Sequence, residues 1–158
     1  MVRQAREQDL PRIMAIYDAA RRYMRTNGNT VQWVNGYPSE ALLRQDIRDG
    51  VLYVMEDGGG VYAVFAFIIG DDPTYGHIEG AWRDGSPYGT IHRLGSDGTH
   101  RGVFAETAVW AARVCPHLRA DTHAANLTMR HCMERAGFVY CGVIHVADGT
   151  PRVAYEKV

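Results

Sequence analysis

The sequence predicts an α+β fold in which a mixed sheet is packed against helices. Two patterns support this. Early in the chain, two strand-like runs at 51–56 and 61–69 flank the turn Asp57-Gly58-Gly59-Gly60 and predict a hairpin. Later strands alternate with helical patterns, which is typical of parallel β-α-β connections. This order favours a mixed sheet over a doubly wound parallel sheet.

The first third of the chain predicts one strand and two helices. Residues 2–6 have strand character, and Asp9 is an N-cap candidate for an amphipathic helix over about 10–25. Ser39 is the N-cap of a second short helix, which Asp49-Gly50 ends.

The rest of the chain predicts further strands and two more helices. These elements are a weak strand at 77–82, a strand at 88–94, a helix at 102–114, a strand at 117–122, a helix at 126–136, and strands at 138–146 and 152–156. The turn Gly95-Ser96-Asp97-Gly98 is expected to end the strand at 88–94, and Gly137 is a left-handed candidate after the last helix.

Composition disfavours several functional classes. The 158 residues predict a single domain over 1–158, and 46% hydrophobic with 22% charged residues is a globular composition. A formal net charge of -1 provides no bulk attraction for nucleic acid or a membrane surface. Three cysteines without paired spacing and seven histidines without HExxH predict neither a disulfide framework nor a metal site. No apolar run resembles a signal peptide or membrane span, so we expect a cytoplasmic protein.

The segment from Thr90 to Ala105 carries the most chemical information. A strand is followed by a glycine-rich loop that includes His100, Arg101 and Gly102, and a helix begins directly after it. The first turn of such a helix has N–H groups without partners and a positive dipole end, which together suit a phosphate or pyrophosphate. The same pattern also fits a tight turn with a solvated basic pair.

Downstream, a strand, Asn126, a helix and Gly137-Phe138 follow in order. With the loop, this order resembles the GNAT superfamily of acyl-CoA-dependent N-acetyltransferases, most closely over about 88–157. The resemblance implies a GNAT fold: a mixed, mostly antiparallel six- to seven-stranded sheet flanked by about four helices. It also implies acetyl-CoA as cosubstrate and no metal. The runs at 32–38 and 88–93 look like those of an uncharacterised subgroup of that family.

The resemblance assigns cofactor contacts to three parts of the chain. In the family, loop amides hold the pyrophosphate, the preceding strand follows the pantetheine arm, and the Asn often contacts the cofactor. The corresponding residues are His100, Arg101, Gly102, Val103, Phe104 and Ala105 for the pyrophosphate, Arg93, Leu94 and Gly95 for the pantetheine arm, and Asn126. Asn126 is equally suited to a purely structural N-cap. For the Arg93 side chain, the alternatives are pairing with an acidic group of the substrate and a structural ion pair.

Three residues depart from the family pattern. Thr99 replaces the usual Gln or Arg, and Phe104 replaces the second small residue of the loop. Because backbone amides do not depend on the side chain, binding is compatible with both if the Phe104 ring turns into the core. Met133 stands where the family often has a Tyr that protonates the departing thiolate. Either another group or water takes this role, or the enzyme is slow or inactive.

Transfer to an amine requires a base, since an ammonium group must lose a proton before it attacks. Glu79, whose apolar neighbours suggest burial, and His92, on the strand before the loop, are the candidates. Each has a structural alternative: a surface carboxylate for Glu79 and a hydrogen-bonded core histidine for His92. Trp33, Tyr37 and Trp82 are candidates for an acceptor pocket, or else packing residues beneath long loops.

Three functions fit these residues. The expected one is acetyl transfer from acetyl-CoA to the primary amine of a small molecule or peptide, by direct attack in a ternary complex. The second is a CoA-binding module of the same fold that transfers poorly or not at all. The third is a partner-binding domain without a cofactor. Many family members form homodimers, and strands within 138–157 are the natural place for that contact; no nucleic-acid or membrane partner is predicted.

Overall fold

The structure, a computed structural model, describes all residues from Met1 to Val158. It has eight strands and four α-helices, so the α+β class is confirmed. The strands are β1 (Val2–Gln4), β2 (Leu52–Asp57), β3 (Gly60–Ile69), β4 (Glu79–Gly80), β5 (Gly89–Ser96), β6 (Leu118–Thr122), β7 (Val139–His145) and β8 (Pro151–Lys157). The helices are α1 (Leu10–Thr26), α2 (Glu40–Arg48), α3 (Val103–Val114) and α4 (Leu127–Arg135).

The strands form one sheet in the hydrogen-bonded order β1-β2-β3-β5-β6-β8-β7-β4. The pairs β1–β2, β2–β3, β4–β7, β6–β8 and β7–β8 are antiparallel, whereas β5 and β6 are parallel. The parallel ladder consists of Gly89↔Leu118 and Thr90↔Arg119, although β5 extends to Ser96. The mostly antiparallel, mixed sheet is as predicted. It has eight strands rather than the expected six to seven, because the weak strand pattern at 77–82 forms β4.

The chain divides into two compact units. Unit 1 comprises residues 1–67 and 92–103, and unit 2 comprises residues 68–91 and 104–158. The core of unit 1 contains the apolar stripe of α1, one leucine of α2 and inward residues of β2 and β3. Its main members are Leu10, Ile13, Ile16, Tyr17, Leu43, Leu52, Val54, Val64 and Ala66.

Unit 2 has its own apolar core. One cluster joins the connection between β3 and β5 to inward residues of β7 and β8; its buried members are Tyr75, Tyr88, Ile144 and Ala154. The ring of Phe104 is also buried and meets Phe138 edge-to-face at a centroid distance of 5.4 Å. The expectation that Phe104 turns its ring inward is therefore confirmed.

Helix capping agrees with the sequence at two helices and differs at a third. Ser39 Oγ accepts a hydrogen bond from the Leu42 amide at 3.1 Å, and Asn126 Oδ1 accepts one from Met129 at 3.1 Å. Asp9 occupies the N-cap position of α1 but makes no side-chain capping bond to it. Its carboxylate instead accepts from the Arg3 guanidinium, because a cationic donor is a stronger partner than a helix amide.

Two glycine positions correct the predicted strand boundaries. The strand was expected to break at Gly95, yet β5 continues to Ser96 because this glycine allows a close approach rather than a turn. A Cβ at Gly95 would lie 3.0 Å from the Tyr17 ring. The strand predicted at 77–82 forms only at Glu79–Gly80. There, a Cβ at Gly80 would lie 2.2 Å from the Cys141 carbonyl oxygen, so only glycine permits the contact.

Candidate active site

The strand that leads to the glycine loop contains a left-handed residue. Arg93 has φ = 51°, a conformation that costs a non-glycine residue energy and is uncommon inside a strand. The Tyr17 hydroxyl donates to the Arg93 carbonyl oxygen at 2.7 Å. Burial raises the pKa of Tyr17, so this hydroxyl remains protonated and able to donate. Helix α1 therefore holds the irregular segment of β5 in place.

The Arg93 side chain forms an ion pair within unit 1. Its Nη2 donates to Asp46 Oδ2 at 2.7 Å, and its Nη1 lies 3.5 Å from the Tyr37 hydroxyl. Burial by itself would lower the pKa of Arg93, but Tyr37 and Asp46 more than offset this and raise it. The Nε atom is buried without a hydrogen-bond partner. The Arg93 side chain therefore forms a structural ion pair.

The glycine loop begins with an aspartate that receives several hydrogen bonds. Both the amide and the hydroxyl of Thr99 donate to Asp97 Oδ1, at 2.9 and 2.6 Å, and Arg12 Nη2 donates to Asp97 Oδ2 at 2.5 Å. Partial burial would raise the pKa of Asp97, but these bonds lower it overall. Thr99, which stands at the family's Gln or Arg position, is therefore engaged in shaping the loop.

The two basic residues of the loop differ in their surroundings. His100 stacks on Tyr62 with a centroid distance of 3.6 Å, and its Nε2 lies 2.6 Å from Asp57 Oδ2. Arg101 is exposed and makes no ion pair. The imidazole of His100 is thus engaged within the protein, whereas the guanidinium of Arg101 is available to a ligand.

Backbone geometry suits an anion where the loop meets α3. Gly102 has φ = 70°, and no atom lies within 4 Å of the place where a Cβ would stand. The next residue, Val103, begins α3. The helix dipole is positive at this end of α3. The open glycine and the helix start therefore fit a pyrophosphate.

In unit 2, the predicted positions on α4 have structural roles. The Asn126 side chain caps α4 and donates from Nδ2 to Thr122 Oγ1 at 3.1 Å. Met133 is 2% exposed and packs in the core. A buried thioether can neither donate a proton nor reach a thiolate in solvent, so the residue at the family's tyrosine position cannot act as an acid.

The two candidate bases occupy different environments. The burial expected for Glu79 is absent: its side chain is 62% exposed, because β4 is the last strand of the sheet. Its Oε1 lies 4.0 Å from His145 Nε2. Within unit 2, three strands separate β4 from the first residues of β5, a distance of about 19 Å at the usual strand spacing. His92 is half-buried and lies on β5 itself.

The predicted acceptor-site aromatics are mostly packing residues. Trp33 is buried in unit 1 and meets Tyr17 edge-to-face at 5.4 Å. In unit 2, Trp82 donates from Nε1 to the Tyr75 carbonyl at 3.0 Å, and its ring covers the Arg119 guanidinium at 4.0 Å. Tyr37, 40% exposed, is the one that keeps substantial accessible surface.

Sequence reasoning missed a buried charge cluster in unit 2. Glu156, 1% exposed, accepts from Arg119 Nε at 3.1 Å and lies 2.7 Å from His117 Nε2. Arg119 and Glu156 face each other across β6 and β8. Charged residues amid the apolar residues of two strands could have indicated this pair, since such charges need a partner when buried.

Comparison with solved structures identifies the family. A GNAT-family acetyltransferase from Streptococcus agalactiae 2603 is 31% identical, with a TM-score of 0.91 over 100% of this chain and 94% of its own. The chain therefore belongs to the GNAT family of acetyltransferases. Acetyl transfer is accordingly the general activity that this membership supports.

More distant structures share the fold alone. A GNAT-family acetyltransferase from Listeria monocytogenes 4b F2365 is 18% identical, with a TM-score of 0.73 over 99% of this chain and 93% of its own. A ribosomal-protein-alanine N-acetyltransferase from Brucella melitensis is 19% identical, with a TM-score of 0.64 over 100% and 99%. No family model and no curated protein matches the sequence.

No helix combines the length and the apolar character that crossing a membrane requires. No group of three or more His, Cys, Asp or Glu side chains is arranged to hold a metal ion.

Proposed function

We propose that this protein is an acetyl-CoA-dependent N-acetyltransferase. The acceptor is the primary amine of a small molecule or peptide, which attacks directly in a ternary complex. The observation that carries the proposal is the glycine loop that opens into α3, with Gly102 unobstructed and Arg101 unpaired. This combination of helix start, open glycine and free cation suits a pyrophosphate.

The pyrophosphate of acetyl-CoA would bind the backbone amides from Arg101 to Ala105. The pantetheine arm would follow β5 along Arg93, Leu94 and Gly95. Two features support this: the β5–β6 ladder ends at Thr90, and the backbone turns left-handed at Arg93. Amides of an extended ligand can pair with strand backbone that lacks a neighbouring strand. The family resemblance adds Asn126 as a further cofactor contact.

In the proposed reaction, acetyl-CoA supplies an activated thioester carbonyl. The lone pair of the neutral amine forms the new C–N bond, the C–S bond breaks, and the thiolate leaves. His92, directly or through a water molecule, accepts the proton that the amine loses. His92 is preferred to Glu79 because it lies on the strand that leads to the loop. Another group or water protonates the thiolate, since Met133 cannot.

A second candidate function is a CoA-binding module without efficient transfer. Met133 favours it, because a buried thioether at the family's acid position offers no proton to the leaving group. Both candidates predict binding of acetyl-CoA, and turnover distinguishes them. Release of free thiol in the presence of amines would support the enzyme.

Calorimetric titration of the purified protein with acetyl-CoA, with CoA for comparison, tests the shared premise. We expect saturable binding in the micromolar range, followed by thiol release with at least one amine from a screen of small amines and peptides. A folded sample that binds neither ligand would contradict the proposal. Binding without thiol release from any amine would favour the second candidate.

A further inference from the structure

We propose that the β2–β3 hairpin and α1 hold the cofactor loop, defined as residues 97–102, in its phosphate-binding shape. The positioning residues are Asp57 and Tyr62 of the hairpin and Arg12 of α1. All of these residues belong to unit 1. The inference rests on the proposed function and adds residues that the family resemblance does not assign.

A chain of hydrogen bonds links the hairpin to the loop through His100. Thr99 Oγ1 donates to Asp97 Oδ1 and lies 2.8 Å from His100 Nδ1. On the other side of the ring, Nε2 lies 2.6 Å from Asp57 Oδ2. His100 thus links the hairpin to the loop through both ring nitrogens.

This arrangement alters the role that the sequence suggests for His100. Its imidazole lies against Asp57, and the hydrogen bond from His100, together with that from the Gly59 amide, lowers the pKa of the Asp57 carboxyl. Tyr62 covers one face of the imidazole. His100 therefore helps to position the loop rather than contacting phosphate. The positive charge of the loop that remains unpaired is that of Arg101.

The start of the loop has a second anchor. Arg12 donates from Nε to the Val61 carbonyl at 2.8 Å and from Nη2 to Asp97 Oδ2 at 2.5 Å. The Asp97 amide donates to the Tyr62 carbonyl at 3.0 Å. With Asp97 and His100 both fixed, the loop has little freedom, and its last amides are oriented before any ligand arrives. Such preorganisation increases affinity by reducing the entropy lost on binding.

The decisive variant is Asp57→Ala, with dissociation constants measured by calorimetry for CoA, acetyl-CoA and S-acetylpantetheine. If Asp57 positions the loop, the variant should bind the two ligands that carry a pyrophosphate about fivefold more weakly. The dissociation constant of S-acetylpantetheine, which lacks the pyrophosphate, should not change. Direct phosphate contact by His100 predicts tighter binding instead, because removing Asp57 would free the imidazole for the phosphate and remove a nearby negative charge.

Asp148→Ala is the matched control. Asp148 lies in the turn of the β7–β8 hairpin and, like Asp57, is exposed and accepts a backbone amide two residues later. It should leave all three dissociation constants unchanged. Asp57→Asn keeps an acceptor for His100 and should restore most of the affinity. In the combined Asp57→Ala and His100→Ala variant, binding should be no weaker than in either single variant, because both act through one network.

Amide hydrogen exchange in the free protein provides a readout that is independent of any ligand. Exchange at Gly98 to Gly102 should be faster in Asp57→Ala and unchanged in Asp148→Ala. If wild type binds CoA and the Asp57→Ala variant binds it equally or more tightly, the positioning role of Asp57 is overturned while the proposed function stands. If wild type binds no CoA, the proposed function fails, and this inference fails with it.

Discussion

Each compact unit contains a buried acid paired with an arginine whose side chain is little exposed, and the two pairs differ in how completely the arginine donors are hydrogen-bonded. In unit 2, Arg119 donates to Glu156 and to the Asp84 carbonyl, and it lies between two aromatic rings at 4.0 Å from each centroid. In unit 1, Arg93 has one short bond to Asp46, and its Nε has no partner. The Arg93 backbone is also left-handed.

The comparison separates a stabilising cluster from a strained one. Stacking and multiple acceptors offset the cost of burying Arg119, as a structural role requires. Arg93 retains strain and an unpaired donor on the strand that we propose lies along acetyl-CoA. Strained backbone persists where surrounding contacts enforce it, and it is concentrated at functional sites.

The largest expected effect comes from the unit 2 cluster. Glu156→Ala should reduce the free energy of unfolding by about 3–5 kcal/mol, because it leaves two buried basic side chains without their acceptor. Urea unfolding measures this, with the exposed Glu134→Ala as control. A loss below about 1 kcal/mol would show that the cluster relaxes or admits water.

The corresponding change in unit 1 should cost less. Asp46→Ala should lower the free energy of unfolding by about 2–3 kcal/mol, since Asp46 neutralises a single cation. The same denaturation experiment allows direct comparison with Glu156→Ala. A larger loss than in that variant would reverse the ranking of the two pairs.

If unit 1 carries the phosphate-binding loop, a negative charge at Gly102 should oppose the ligand. Gly102→Asp should weaken acetyl-CoA binding about tenfold, or about 1.4 kcal/mol. Gly102→Asn is the matched control, because Asn has the same shape and tolerates positive φ. Equal affinities for the two variants would show that charge at this position does not matter, and the loop assignment would be wrong.

The smallest effect is expected from a partly exposed ion pair of unit 1. The hydrogen bond from Arg3, together with the Arg6 amide, lowers the pKa of Asp9 below its unfolded value near 3.9. Asp9 then contributes stability above about pH 4 and loses it as the pH falls further. The stability difference between wild type and Asp9→Asn, about 1 kcal/mol or less at pH 7, should shrink at pH 3. A difference independent of pH would remove Asp9 from the acid response.

Local patterns predicted most of the fold. The four helices, the caps at Ser39 and Asn126 and the inward ring of Phe104 follow from residues close in sequence. The predictions failed where a distant contact decides the outcome. Gly95 was expected to break a strand. The strand instead continues, and the glycine leaves room for the ring of Tyr17, which lies 78 residues earlier in the chain. Asp9 was expected to cap α1, but Arg3 competes for its carboxylate.

The sequence by itself determined the element order, the strand–loop–helix segment and the resemblance to a family, because each depends on short-range spacing and periodicity. The tertiary structure alone decided which charges are free. Asp57, 43 residues from His100, contacts the imidazole of that histidine, and Asp46, 47 residues from Arg93, pairs with the guanidinium of that arginine. Arg101 remains unpaired. Charge pairing depends on distances of a few ångströms between remote segments, and folding alone sets those distances.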